Sequence, residues 1–121
     1  MIDSSFWAQQ RVFVTGHTGF KGSWLLLWLL QLGARVTAYA LPAEPEPNLF
    51  GSLWPELQGR FEHHEADLAN QASLRQAIEA AQPDVVLHLA AQPLVRESYR
   101  DPLGTWRTNV LGSLELLEAL R

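Results

Sequence analysis

Apolar positions along the chain follow two alternating rhythms, one of short runs and one of helical spacing. Val12-Phe13-Val14 is a short apolar run that predicts a strand over residues 11–15. Glycine then recurs at Gly16, Gly19 and Gly22, and residues 20–32 predict a long helix that stops at Gly33. The middle of that helix is apolar on every side, so it needs cover on more than one face. Residues 35–41 predict a second strand, with Val36, Ala38 and Ala40 alternating with Thr37 and Tyr39. Pro42, Pro45 and Pro47 force an irregular loop, and residues 48–54 leave room for one helical turn. Residues 61–66 predict a third strand with weak patterning. Residues 70–81 predict a helix with Leu74, Ala77, Ile78 and Ala81 on one face. Residues 85–89 are apolar enough for a buried parallel strand. Residues 90–100 read as a loop. Asp101-Pro102 marks a helix start, with aspartate at the cap and proline at the first helical position. This last helix runs to Arg121, with Trp106, Val110, Leu114, Leu117 and Leu120 at helical spacing. Residues 1–10 form a polar lead-in whose Phe6 and Trp7 are expected to pack under the sheet.

Strands that alternate with helices predict an α/β fold, a Rossmann-like doubly wound parallel sheet. Right-handed crossovers give strand order 3-2-1-4, with a ligand crevice between strands one and four where the order reverses. The sheet is incomplete on this reading, because strand four lacks a neighbour on its outer side and natural proteins rarely leave such an edge bare. Residues 1–121 are therefore expected to be the N-terminal part of a dinucleotide-binding domain, the front of a longer protein whose substrate domain lies elsewhere.

The glycine turn carries the first chemical signal. A strand, a glycine-rich turn and a helix in that order leave backbone N–H groups and partial positive charge facing an anion. The spacing is G-x-x-G-x-x-G. A nucleotide triphosphate loop needs Gly-Lys-Ser/Thr, and here Lys21 precedes Gly22 and Ser23. The alternative is a tight strand-to-helix turn with no ligand. A net charge of −4 without a basic run argues against nucleic acid as a partner. There is no cysteine, hence no disulfide and no thiolate metal site. The apolar run at residues 24–30 is too short for a bilayer and follows a glycine turn inside the chain, so neither a membrane span nor a signal peptide is expected. Cytoplasm is the default location.

Three stretches narrow the picture: TGHTGFKGS (residues 15–23), HLAAQPLVRESY (88–99) and TNVLG (108–112). Together they resemble the extended short-chain dehydrogenase/reductase family, which includes the sugar-nucleotide epimerases and 4,6-dehydratases. The resemblance covers essentially the whole chain. It implies NAD as cofactor, a small nucleotide-sugar as substrate, and hydro-lyase (dehydratase) or epimerase chemistry for the longer protein. It implies that Gly16, Thr18, Gly19, Phe20, Lys21 and Gly22 surround the NAD pyrophosphate. Asp67 with Leu68 would hold the adenine; an aspartate at that point also suits a cap for the next helix. Leu89, Ala90 and Ala91 would lie under the cofactor, or simply pack the sheet. Asn109 would reach the nicotinamide side, or face solvent. Gln92, Arg96 and Ser98 would face the sugar nucleotide; a surface ion pair of Arg96 with Glu97 or Asp101 is the alternative. The helix over residues 102–121 would form a homodimer contact.

Two features depart from the family's pattern. The second strand ends in Tyr39-Ala40-Leu41, and no acid follows until Glu44, so no residue is named here for the adenosine ribose. The Tyr-x-x-x-Lys pair that moves protons in this family is absent, and Tyr99 lacks its context. The chain alone is thus expected not to turn over substrate, which leaves a non-catalytic NAD-binding fragment as a further reading. His63 and His64 are expected on a strand or loop surface, and His88 reads as a hydrogen-bonded structural histidine.

Overall fold

β1 (Arg11–Thr15) is buried from Val12 onward on both faces, and this single fact requires a layer of helices on each side. In the computed structural model, which describes residues 2–121, both layers are present. β2 (Arg35–Ala40), β3 (Glu62–Glu65) and β4 (Val85–His88) complete one parallel sheet in the order β3-β2-β1-β4. The topology is the one the alternating pattern predicts. Val12 pairs with Val36 on one side and Val85 on the other, and Val14 with Ala38 and Leu87.

Val12, Val14, Val36 and Ala38 face α2 (Phe20–Gln31) and α3 (Leu49–Leu57), whose Leu26, Leu29, Phe50 and Leu57 fill the first core. Phe13 and Tyr39 point the other way. They meet α4 (Gln71–Ala81) and α7 (Gly112–Leu120) through Leu74, Ala77, Ile78 and Leu116. α2 buries one face against the sheet, but the second face, for which its composition also predicts cover, leaves Trp24 and Trp28 half exposed. At the lower end of the sheet, Arg11 Nη2 and Nε donate to the two carboxylate oxygens of Asp84 at 2.7 and 3.1 Å, and its backbone N–H adds a third bond. These hydrogen bonds hold the Asp84 carboxyl down to about 2 and fix the start of β4 beside β1. β4 has no neighbour beyond it in this sheet, and Val85, Val86 and Leu87 are only half-buried.

Several expectations are corrected. The lead-in forms a short helix, α1 (Ser4–Trp7), capped by Asp3, and only Trp7 packs on the core; Phe6 is exposed against its edge. α3 is nine residues, not one turn, because Phe50 and Leu57 both reach the core. Residues 95–100 form α5 (Val95–Arg100) where a loop was expected. No residue of α5 is buried, so it carries no apolar period to read.

The last helix is not continuous. α6 (Pro102–Trp106) begins as expected, with Asp101 Oδ1 accepting from the Gly104 N–H at 2.9 Å. A π-helical turn (Arg107–Leu111) follows and leads into α7. A π-turn adds one residue and so rotates everything beyond it by about 100°. Gly112 and Leu116 consequently face the sheet, while Leu114 and Leu117 are 54% and 62% exposed. The face assignment is testable by urea denaturation of the monomer. Leu116→Ala should lose about 3 kcal/mol, as buried leucines do, and Leu117→Ala about 0.5 kcal/mol.

Candidate functional site

The site grows from the exit of β1. Gly16 has a positive φ of 82°, and a Cβ there would meet the Ala90 N at 2.6 Å. Only glycine lets the turn lie flush against the end of β4. Gly22 sits on the same turn from above: a Cβ on it would come to 2.0 Å from the Gly16 carbonyl oxygen. Ser23 Oγ lies 2.9 Å from the His17 carbonyl and 2.7 Å from that of Gly19, tying the turn to α2. Gly19 is the cap of α2 and offers no side chain to its first turn. The leading N–H groups of a twelve-residue helix are thus left for a ligand.

Those groups open into a cavity of about 1180 Å³. The turn supplies one wall through Gly16, Thr18, Gly19, Phe20, Lys21 and Gly22. Asp67 and Leu68 lie on the β3 side, and Leu89, Ala90 and Ala91 beyond β4. All of these were singled out from the sequence as cofactor residues. Asp67 does not cap α4; Asn70 does, accepting from the Ser73 N–H. Asp67 Oδ1 instead accepts from the Ala69 N–H at 2.9 Å, and its carbonyl takes the Tyr39 hydroxyl at 2.9 Å.

The remaining candidates lie behind or outside the wall. Asn109, in the π-helical turn, accepts from the Gln92 N–H at 2.7 Å and donates to the Gln92 carbonyl at 3.1 Å. Its side chain holds the loop after β4, and the residue is exposed. The Gln92 amide bonds Thr105 Oγ1 and the backbone of Leu94. Arg96 is exposed on α5, and the ion pair with Glu97 is made by Arg100. Ser98 donates to the Val95 carbonyl. The cavity also takes in residues that the sequence did not point to: Leu41, Pro42, Glu44, Leu94, Arg107 and Glu115. They come from four separate segments, so no local spacing announces them.

The family model for GDP-mannose 4,6 dehydratase matches residues 13–121. The chain belongs to this family. It is 50% identical to the CDP-glucose 4,6-dehydratase of Salmonella typhimurium over 121 residues, all of this chain and 33% of that protein. Among solved structures it resembles a UDP-glucose-4-epimerase from Stenotrophomonas maltophila with bound NAD and formylated UDP-arabinopyranose. That likeness has a TM-score of 0.81 and 27% identity, over 93% of this chain and 33% of the epimerase. The UDP-glucose 4-epimerase from Brucella ovis in complex with NAD gives a TM-score of 0.75 at 30% identity, over 93% and 32%. The chain spans about a third of the length of the relatives it matches. No helix among the described residues is long and apolar enough to cross a membrane.

Two histidine networks brace this member of the dehydratase family from behind. Thr15 Oγ1 accepts from the N–H groups of Leu89 and Ala90, both at 3.1 Å, so its own proton points to His88 Nδ1. His88 Nε2 then donates to Ser113 Oγ at 2.9 Å, and Ser113 donates to the Asn109 carbonyl at 2.8 Å. His88 is a bonded structural histidine, as expected, and burial lowers its pKa. On the other face of the sheet, His17 is fully buried, edge-on to Phe50 and Phe61. Its Nε2 lies 2.8 Å from His63 Nδ1. His63 and His64 are therefore not surface residues: both are half-buried, His63 within this aromatic cluster and His64 stacked on Tyr39. A histidine ring packs as an aromatic when its nitrogens find partners, and the weak pattern of β3 hid this.

Burial pushes the His17 pKa down to about 3, with the neighbouring His63 and His64 adding to the effect. In the unfolded chain it takes a proton near its ordinary value. Between these two values the unfolded state holds more protons, so the His17 contribution to stability falls as pH drops. The expected slope is roughly 1 kcal/mol per pH unit from about pH 6.5 downward. The unfolding free energy of the parent chain relative to His17→Phe, compared from pH 7 to 4, should fall by that amount per unit; parallel curves would contradict it.

Proposed function

We propose that this chain is the NAD-binding part of a nucleotide-sugar 4,6-dehydratase whose substrate is CDP-glucose. The observation that carries the cofactor reading is the uncapped N-terminus of α2 opening into a cavity large enough for a dinucleotide. The substrate reading is supported by the 50% identity to the Salmonella dehydratase along the full chain. The residues present suit the cofactor. Gly16, Gly19 and Gly22 bring backbone close to the pyrophosphate, with Thr18, Phe20 and Lys21 around it. Asp67 and Leu68 take the adenine. Leu89, Ala90 and Ala91 lie under the cofactor, where the two alanines are small enough to let it approach, and Asn109 serves the nicotinamide side by holding Gln92 in place. Gln92, Arg96 and Ser98 flank the Pro93-Leu94 wall, and their proposed role is toward the sugar nucleotide.

The reaction so assigned converts CDP-glucose to CDP-4-keto-6-deoxyglucose and water. Bound NAD supplies the hydride acceptor and donor. This chain's own share is binding and orientation; the Tyr-x-x-x-Lys pair for proton transfer is not in its sequence. The exposed stripe that includes Trp106, Leu114 and Leu117 supports a homodimer through α6 and α7. Calorimetric titration of the chain should show NAD binding, and incubation with CDP-glucose should yield no product. Heat of binding absent at millimolar NAD would refute the cofactor reading, and product from the chain alone would refute the division of labour. In the longer protein, loss of water separates a dehydratase from the epimerases that the structural likeness brings in.

Cofactor choice is assigned to Glu44. It is the acid that the cavity wall offers just beyond β2, where the loop is tied down by the Thr18 hydroxyl bonded to the Leu41 carbonyl at 2.8 Å. A carboxylate there accepts from ribose hydroxyls and repels a 2′-phosphate. Glu44→Gln should narrow the ratio of NADP to NAD dissociation constants by about tenfold, roughly 1.4 kcal/mol. An unchanged ratio rules Glu44 out.

A further inference from the structure

Between Gly16 and Lys21 the glycine turn buries a single side chain, that of His17. Its ring nitrogens are unequally served. Nε2 faces His63 Nδ1 at 2.8 Å, whereas Nδ1 is buried with no partner. His63 Nε2 in turn faces Glu65 Oε1 at 3.3 Å on the exposed side of β3. The proton directions follow from chemistry. A carboxylate only accepts, so His63 carries its proton on Nε2 and presents a bare Nδ1. His17 must then donate from Nε2. The other tautomer of His17 would bury an N–H donor without an acceptor, which folded proteins avoid more strictly than an idle lone pair.

We infer that His63 is a positioning residue for the glycine turn: by accepting the Nε2 proton of His17 it fixes the turn in the shape that leaves the first N–H groups of α2 open to the phosphates of the cofactor. The ring of His17 is held by His63 and its carbonyl by Ser23 Oγ, so the residue is pinned at both ends. His17 is fully buried, so its ring has little room to turn alone, and the close approach of Gly22 to the Gly16 carbonyl leaves the turn little slack to absorb a displacement of the residue. Aromatic packing from Phe50, Trp54 and Phe61 encloses the pair and keeps water from competing for the bond. A strand two places away in the sheet thereby controls the turn through one proton. This inference rests on the NAD reading above for its consequence, but not for the hydrogen bond itself.

The test uses the uniformly ¹⁵N-labelled 121-residue chain, alongside His63→Phe and His63→Gln. Imidazole ¹⁵N shifts without cofactor should show His17 protonated on Nε2 and bare at Nδ1. Phenylalanine keeps the packing and removes the acceptor. Glutamine restores an acceptor oxygen. The backbone amide shifts of residues 19–22 should move in His63→Phe and return toward the parent in His63→Gln, with all three chains folded by circular dichroism. NAD should bind His63→Phe about tenfold more weakly, the loss of one buried hydrogen bond, and His63→Gln should recover most of it. A proton on His17 Nδ1, or unmoved amides in His63→Phe, overturns the proposal. If the parent chain binds no NAD while the shifts behave as described, the cofactor reading falls and the positioning of the turn by His63 stands.

Discussion

The contact on which the rest depends is the approach of Gly16 to the backbone of Leu89 and Ala90. A methyl group at Gly16 would overlap the Ala90 nitrogen at 2.6 Å. Because it is absent, the exits of β1 and β4 close on each other, and Thr15 Oγ1 can collect the N–H groups of Leu89 and Ala90 just beyond β4. Two walls of the cavity are hung from these two strand ends, the turn and α2 from one and the loop to Pro93 and Leu94 from the other, while Leu41, Pro42 and Glu44 beyond β2 and Asp67 and Leu68 beyond β3 line the rest. A substitution that forced the two ends apart would disturb both walls together.

Proton directions add a second layer of order. Thr15, His88, Ser113 and the Asn109 carbonyl form a chain in which each member has one feasible role, because Thr15 already accepts two backbone bonds. The Asn109 side chain then clamps Gln92 through both its carbonyl and its amide. The effect is to carry the position of a buried strand end out to the rim of the cavity by way of polar groups that have no free alternatives. Sites held this way lose little freedom when a ligand arrives.

Much of the fold was legible in the sequence. Short apolar runs giving way to helical spacing mark β1, β2, β4, α2 and α4, and Gly33, Asn70 and Asp101 mark ends and starts. What escaped has a common cause. α5 buries nothing, α3 runs past its expected turn because of a contact made by Leu57 seven residues after Phe50, and the π-turn at Arg107–Leu111 leads into Gly112, which lies close to Leu68 far back in the chain. The glycine turn and its flanking wall residues could be read because they are contiguous. Glu44, Arg107, Glu115 and the His17–His63 pair could not, since their neighbours in space are distant along the chain, His17 and His63 being 46 residues apart.

The π-turn has one more consequence. The sequence of the last helix displays an apolar stripe suited to an unbroken α-helix, yet the extra residue within Arg107–Leu111 turns that stripe outward and sends Gly112 and Leu116 inward. The segment is for that reason more sensitive to length than to identity. Exchanging a side chain there perturbs one contact, whereas deleting one residue would restore even winding and trade the inside of the helix for its outside. In the evolution of this chain, an insertion or deletion at the turn would act as an inversion of surface and core, with no change of composition needed.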